Sequence, residues 1–224
     1  PSRRSLIDRP VGVHSRCTSL APALSASYSA ELMTRTAGLA PSLVLLTVKS
    51  NATREAAAEL ARMLPAGTPV LSLQNGIGNA AAAQDAAPAL DVIAGMVPFN
   101  VAELAPGQFH RGTSGALAAA EHDALRSWQP LFERAGLPLA LHEDMRGVQW
   151  GKLLLNLNNP VNALSELPLR EELLSRGYRK ALAALQDEAL QVMQAARIEP
   201  ARLTALPPSW LPGASRRPSC SAPR

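Results

Sequence analysis

The stretch Trp150-Gly-Lys-Leu-Leu-Leu-Asn-Leu-Asn-Asn-Pro-Val-Asn-Ala-Leu164 sets one lysine and a series of carboxamides into an otherwise apolar run. At about 100° per residue, Lys152, Asn156 and Asn159 fall within about 60° of one another on a helix, while Leu153, Leu154 and Leu157 cover much of the rest. A helix that is apolar almost all round belongs inside a protein. Burying an ammonium beside amides is costly unless the polar groups bond to one another or line a ligand cavity. The stripe reads as a site for a small polar ligand. The bland alternative is that Lys152 extends its amine to solvent and the asparagines bond to nearby backbone. Pro160 adds weight to the first reading. It cannot donate to the carbonyl of Asn156, so a helix running through it bends and leaves that oxygen in need of a partner beside the polar stripe.

A second set of residues lies at Gln74-Asn-Gly-Ile-Gly-Asn79. Gly76, Gly78 and Ala81 satisfy the G-x-G-x-x-G/A form, with Asp91 further on, but two glycines after a strand more often make a turn. A dinucleotide fingerprint also belongs to the first strand of its sheet, and here a βα unit precedes the loop. The loop is therefore read as a later wall of a nucleotide crevice, with Asn75 offering both a donor and an acceptor. Lys49 follows the preceding strand, at the end where open α/β sheets bind ligands. A solvated loop lysine is an equally good account of its spacing.

These residues need elements to hold them. Leu43-Val-Leu-Leu-Thr-Val48 has the continuous apolar character of a buried parallel strand. Residues 51–64 follow as a helix, stopped by Pro65 and Gly67, and residues 69–73 as the next strand. Residues 91–97 add a strand, two weaker strand-like segments lie near 107–110 and 115–119, and a helix over 122–135 leads to a strand over 138–142. After His142 the strand signals stop. Residues 144–164 read as one long helix and 175–197 as another, with Leu182, Leu185, Ala189, Val192, Met193 and Ala196 on its apolar face. Strands followed only by helices predict two domains, with the polar stripe on the first helix beyond the boundary. Clefts between domains favour small-ligand sites.

Composition narrows the function classes. A chain of 224 residues, 47% hydrophobic, can bury a sizeable core. The net charge of +4 is concentrated in terminal arginines without a basic, aromatic-interleaved stripe, which argues against nucleic acid as a partner. Cys17 and Cys220 are too isolated for a disulfide framework, and the four histidines share no metal-ligand spacing. No apolar run reaches the ~18 residues of a membrane span and no signal-like segment opens the chain, so a cytoplasmic protein without a membrane partner is expected. The Ser/Arg/Pro/Ala-rich residues 1–40 and the tail 212–224 lack periodicity, and the expectation is a fragment with partly non-native ends.

Together, Thr47-Val-Lys49, Leu73-Gln-Asn-Gly-Ile-Gly78 and Trp150-Gly-Lys-Leu-Leu-Leu-Asn156 resemble the ketopantoate reductases, or 2-dehydropantoate 2-reductases, in order and spacing over residues 41–212. The resemblance implies an α/β fold: a truncated NADPH-binding Rossmann-type domain over residues 1–143, then part of an all-helical substrate and catalytic domain over 144–224. It implies NADPH-dependent reduction of the 2-oxo acid ketopantoate to pantoate, on the route to pantothenate and coenzyme A, without a metal. Carried over by residue, Lys152 matches the catalytic lysine and Asn156 a substrate-binding asparagine. Asn159 matches a second one, with Asn158 or Asn162 as substitutes because the lysine-to-proline spacing is one residue short. Asn75 and Lys49 match cofactor-side residues, and Val101 ends a segment whose backbone touches the cofactor in the family. The family's helical domain often pairs two copies, which makes a homodimer the implied assembly.

The chemistry agrees with the residue types. Hydride addition to a ketone builds negative charge on oxygen, which a positioned ammonium stabilises while supplying the proton. Carboxamides bond the substrate's carboxylate or hydroxyl without adding a competing charge. Two other readings stay open: a relative reducing another 2-oxo acid or an opine-type imine, and a non-catalytic Rossmann-like interaction protein. The family's N-terminal Gly-rich pyrophosphate loop and its later active-site helices have no counterpart in this chain. Weak NADPH binding and little turnover are therefore expected, and a fluorescence titration of NADPH that saturated in the micromolar range would contradict this.

Overall fold

A computed structural model describes residues 40–105 and 108–201; the readings placed on the terminal tracts, Cys17 and Cys220 lie outside the described residues. The chain divides into two compact units between Met145 and Arg146.

The first unit is built on a five-stranded sheet in the order β1-β2-β3-β6-β7. Strands β1 (Val44–Leu46), β2 (Pro69–Ser72) and β3 (Asp91–Met96) are parallel, with Leu71 opposite Leu45 and Ile93. Strand β6 (Leu117–Ala120) joins β3 antiparallel, and β7 (Leu139–His142) runs parallel to β6. The central strands are apolar at successive positions because both faces are covered. On one face Val70, Leu46 and Ala57 pack with Ala83 and Ala87, under helices α1 (Thr53–Met63) and α2 (Asn79–Ala86). On the other, Leu71 and Ile93 pack with Leu125, Phe132 and Leu139. Leu71, with 0% of its surface exposed, contributes about 1.5–3 kcal/mol by burial.

The α2 helix was not legible as one. Its sequence, Asn79-Ala-Ala-Ala-Ala-Gln-Asp-Ala86, carries no large apolar side chain at helical spacing, so periodicity is silent. A two-stranded ribbon of β4 (Val101–Ala105) and β5 (Gln108–Arg111) stands beside the sheet; the sequence reading detects only its second strand. Arg111 donates to the Gly136 carbonyl at 3.0 Å and stacks 5.4 Å from the Phe99 ring centroid. The expected helix over 122–135 is two short ones, α3 (Asp123–Arg126) and α4 (Gln129–Arg134). Pro130 has no N–H to continue the ladder, but is acceptable in a first turn, so the helix restarts around it.

The second unit is helical. The long helix expected over 144–164 is also two: α5 (Met145–Asn156) and α6 (Asn158–Ser165), with Leu157 between them. The cause is again proline. Pro160 sits in the first turn of α6, where a missing donor matters least. Helix α7 (Leu169–Leu174), which hydrophobic periodicity does not announce, and the long α8 (Arg176–Ala195) follow. Among the described residues no helix is long and apolar enough to cross a membrane, and no three His, Cys, Asp or Glu side chains gather as a metal site.

Several large apolar side chains remain at the surface. Leu164 is 86% and Leu174 68% exposed, with Leu169 between them in sequence. Exposed apolar area of this kind promotes self-association. We predict that the Leu164→Glu, Leu174→Lys double variant stays monodisperse in light scattering at a higher concentration than the parent chain; equal aggregation onset would show that these leucines are not the contacts.

Candidate active site

Lys152 lies in the third turn of α5, and its position depends on how that helix is fastened. Ala201 N–H donates to the Gly147 carbonyl at 2.9 Å, and Arg146 Nη2 to the Ala196 carbonyl at 3.1 Å, which tie α5 to the segment following α8. Gly151 is buried at this crossing. A Cβ there would land on the Ala201 carbonyl, well inside contact distance, so the residue before the lysine must lack a side chain. Glycine inside a helix is normally unfavourable. Here it permits a backbone approach that any side chain would prevent. Lys152, the next residue, is half-buried, and burial holds its amine below the ordinary 10.5, because desolvation penalises the charged form.

Asn156 is the last residue of α5, one turn beyond Lys152 and likewise half-buried. Past the interruption, the asparagines take different surroundings. Asn158 Nδ2 donates to Glu172 Oε2 at 3.0 Å. Asn162 Nδ2 donates to the Leu167 carbonyl at 3.0 Å, while its own carbonyl accepts from Ser165 Oγ at 2.8 Å. Asn159 is exposed. Of the three, Asn158 and Asn162 are therefore engaged by protein partners, and Asn159 presents its side chain to solvent. The polar stripe expected on one helix runs across the junction of two segments, where Leu157 keeps a helical backbone (φ −60°, ψ −17°) and its N–H donates to the Leu153 carbonyl at 3.0 Å.

In the first unit, Lys49 and Asn75 stand after the carboxyl ends of neighbouring parallel strands, β1 and β2. Both are exposed, and Ser50 Oγ ties the two loops together by donating to the Asn75 carbonyl at 3.3 Å. Beneath Asn75 runs a buried polar network that sequence patterning did not single out. Gln74 Nε2 donates to the Val48 carbonyl at 2.9 Å and to Thr53 Oγ1 at 2.6 Å, and its Oε1 accepts from Ser72 Oγ at 2.9 Å. Asn79 Nδ2 donates to the Asn75 carbonyl at 2.8 Å. Gly76 (φ 97°) and Gly78 (φ 81°) supply the left-handed turns that let the chain pass from β2 into α2. Polar residues flanking a Gly-rich turn were the available signal, but their pairing is a tertiary fact.

Asp91 does not serve this loop. It opens β3 at the opposite end of the strand, with its Oδ2 3.1 Å from His122 Nε2, as expected if the glycine pattern is a turn rather than a first-strand fingerprint. Val101 opens the β4–β5 ribbon, pairs with Arg111 and is 55% exposed.

A mainly parallel α/β sheet flanked by helices, followed by a helical unit that opens on a half-buried lysine, defines a Rossmann-plus-helical protein. Residues 19–124 match the family Ketopantoate reductase PanE/ApbA, and residues 144–207 match its C-terminal counterpart. The first match begins within the terminal tract 1–40 that the sequence reading sets apart. The chain is 30% identical over 177 residues to a 2-dehydropantoate 2-reductase of Halobacterium salinarum, covering 73% of this chain and 58% of that protein. It superposes on a PanE/ApbA family ketopantoate reductase from Ralstonia eutropha JMP134 with a TM-score of 0.68 and 27% identity, covering 76% of this chain and 56% of that one. A D-mandelate dehydrogenase solved with NADH and anilino(oxo)acetate shares the fold at a TM-score of 0.61 and 19% identity, over 72% of this chain and 54% of that one. The chain belongs to the ketopantoate reductase family. It spans a little over half the length of these relatives, 58%, 56% and 54%.

The fastening of α5 has a direct consequence. Gly151→Ala gains about 0.5–1 kcal/mol of helix preference but overpacks a backbone contact at about 1–3 kcal/mol, a net loss that should lower the midpoint of urea unfolding. An unchanged midpoint would show that α5 is not held at this crossing.

Proposed function

We propose that this chain carries the machinery for NADPH-dependent reduction of ketopantoate to pantoate, with Lys152 as the proton donor. The observation that carries the reading is the half-buried lysine, its amine kept below the ordinary 10.5 by burial, with Asn156 one turn away on the same helix. The Lys152 ammonium offsets charge developing on the keto oxygen, gives that oxygen a proton and is reprotonated from solvent. Asn156 and Asn159 bond the carboxylate or hydroxyl of the 2-oxo acid; Asn159 is favoured over Asn158 and Asn162 because their amide nitrogens already have protein acceptors.

The residues of the first unit suit a nicotinamide cofactor. Lys49 supplies a charge for phosphate and Asn75 a carboxamide for a polar ring substituent, and the space above Gly78 is open where a Cβ would point. When bound, the nicotinamide supplies the hydride. Family membership favours a nicotinamide cofactor, as does the fold shared with a dehydrogenase solved with NADH. The choice of NADPH, the placement of this step in pantothenate synthesis and the backbone role of Val101 are further parts of the proposal.

The test is ketopantoate-dependent oxidation of NADPH at high protein concentration. Slow turnover is expected, with Lys152→Ala reducing kcat about 10²–10⁴-fold. The donor must be protonated, so the rate falls as pH rises through the Lys152 pKa, at a pH below 10.5. Lys152→Arg, which stays protonated, should lose that alkaline limb in whatever activity it retains. Equal rates in the parent and Lys152→Ala would reject the assignment.

A further inference from the structure

The interruption between α5 and α6 is held by two polar side chains from the following helices. Gln186, on α8 and only 7% exposed, donates from Nε2 to the Leu154 carbonyl at 3.3 Å. That carbonyl lies in the last turn of α5, where a helix end leaves oxygens without an intrahelical donor. Glu172, on α7 and 0% exposed, accepts from Asn158 Nδ2 at the first residue of α6. One side chain thus satisfies the end of the first segment and the other grips the start of the second.

The Glu172–Asn158 contact is unfavourable for stability taken alone. Glu172 Oε1 and Asn158 Oδ1 are buried and, among the described residues, neither has a hydrogen-bond partner. Both are acceptors, so they cannot satisfy each other, and an apolar pair of the same volume would avoid their desolvation. A fold seeking only stability would not choose this pair. What it does is fasten Asn158, the residue after Leu157 and before Asn159, to the neighbouring helix.

We infer that Glu172 and Gln186 are positioning residues: by clamping the two sides of the helix interruption at Leu157, they set the spacing between Lys152, Asn156 and Asn159 that receives the 2-oxo acid. The functional half of this inference rests on the reductase reading; the clamp itself does not.

The experiment compares Glu172→Met, Glu172→Gln and Gln186→Met with the parent chain in three measurements: backbone hydrogen exchange over residues 157–161, melting temperature, and KM against kcat for ketopantoate. Glu172→Met and Gln186→Met should exchange faster across 157–161. Their KM should rise about tenfold, the equivalent of one misaligned hydrogen bond, with a smaller change in kcat. The Glu172→Met protein should melt somewhat lower than the parent, because the change removes one unmatched acceptor, Glu172 Oε1, but leaves Asn158 Oδ1 unmatched and takes away the acceptor of Asn158 Nδ2. Glu172→Gln should restore parental exchange and KM and melt higher, since its amide nitrogen can donate to Asn158 Oδ1 while its oxygen still accepts from Nδ2. Parental exchange at 157–161 in both methionine variants overturns the clamp. A lower melting temperature with unchanged KM makes Glu172 merely structural and also overturns the inference. If the parent chain shows no ketopantoate-dependent oxidation, the reductase reading fails, and the exchange data still decide whether the clamp exists.

Discussion

A helix and a neighbouring segment can meet at backbone distance only where the helix lacks a side chain. In this chain that condition is met by the crossing of α5 with the segment after α8, where Gly151 lies against the Ala201 backbone and the Gly147 carbonyl accepts from Ala201 N–H. Lys152 is the residue that follows this crossing, and its half-buried amine has its proton affinity lowered by desolvation.

The same economy of means runs through both units. Buried polar side chains are used where the chain must turn between elements. In the α/β unit, Gln74, Thr53, Ser72 and Asn79 form a network below the loop that bears Asn75. In the helical unit, Glu172 and Gln186 occupy the corresponding role at the α5–α6 interruption. Such groups lose hydration on burial and are tolerated when they bond to the backbone of an irregular segment that would otherwise have unsatisfied groups of its own.

Much of the architecture was legible. The strands over 43–48, 69–73, 91–97 and 138–142 each contain an observed strand, because apolar runs bounded by turn residues have few other solutions. The helix over 51–64 contains α1, and that over 175–197 contains α8, because a wide apolar face recurs at helical spacing in each. The failures share a cause. Asn79–Ala86 is helical without an amphipathic pattern, and the runs over 122–135 and 144–164 kept their periodicity across breaks imposed by Pro130 and Pro160. Periodicity reports which faces are apolar, but a proline can either bend a helix or start a new one with little change in that pattern.

The sequence by itself determined the chemistry on offer: one lysine followed by asparagines at helical spacing, an Asn-Gly turn after a buried strand, and an order of elements that places the sheet before the helices. Side-chain type and local spacing suffice for these, since they depend on neighbours in the chain. Only the tertiary structure decided that Gly151 must be glycine and that Asn158 turns to Glu172 while Asn159 remains exposed. Those outcomes depend on which backbones and side chains meet from positions 14 to 50 residues apart, and such meetings leave no mark in local pattern.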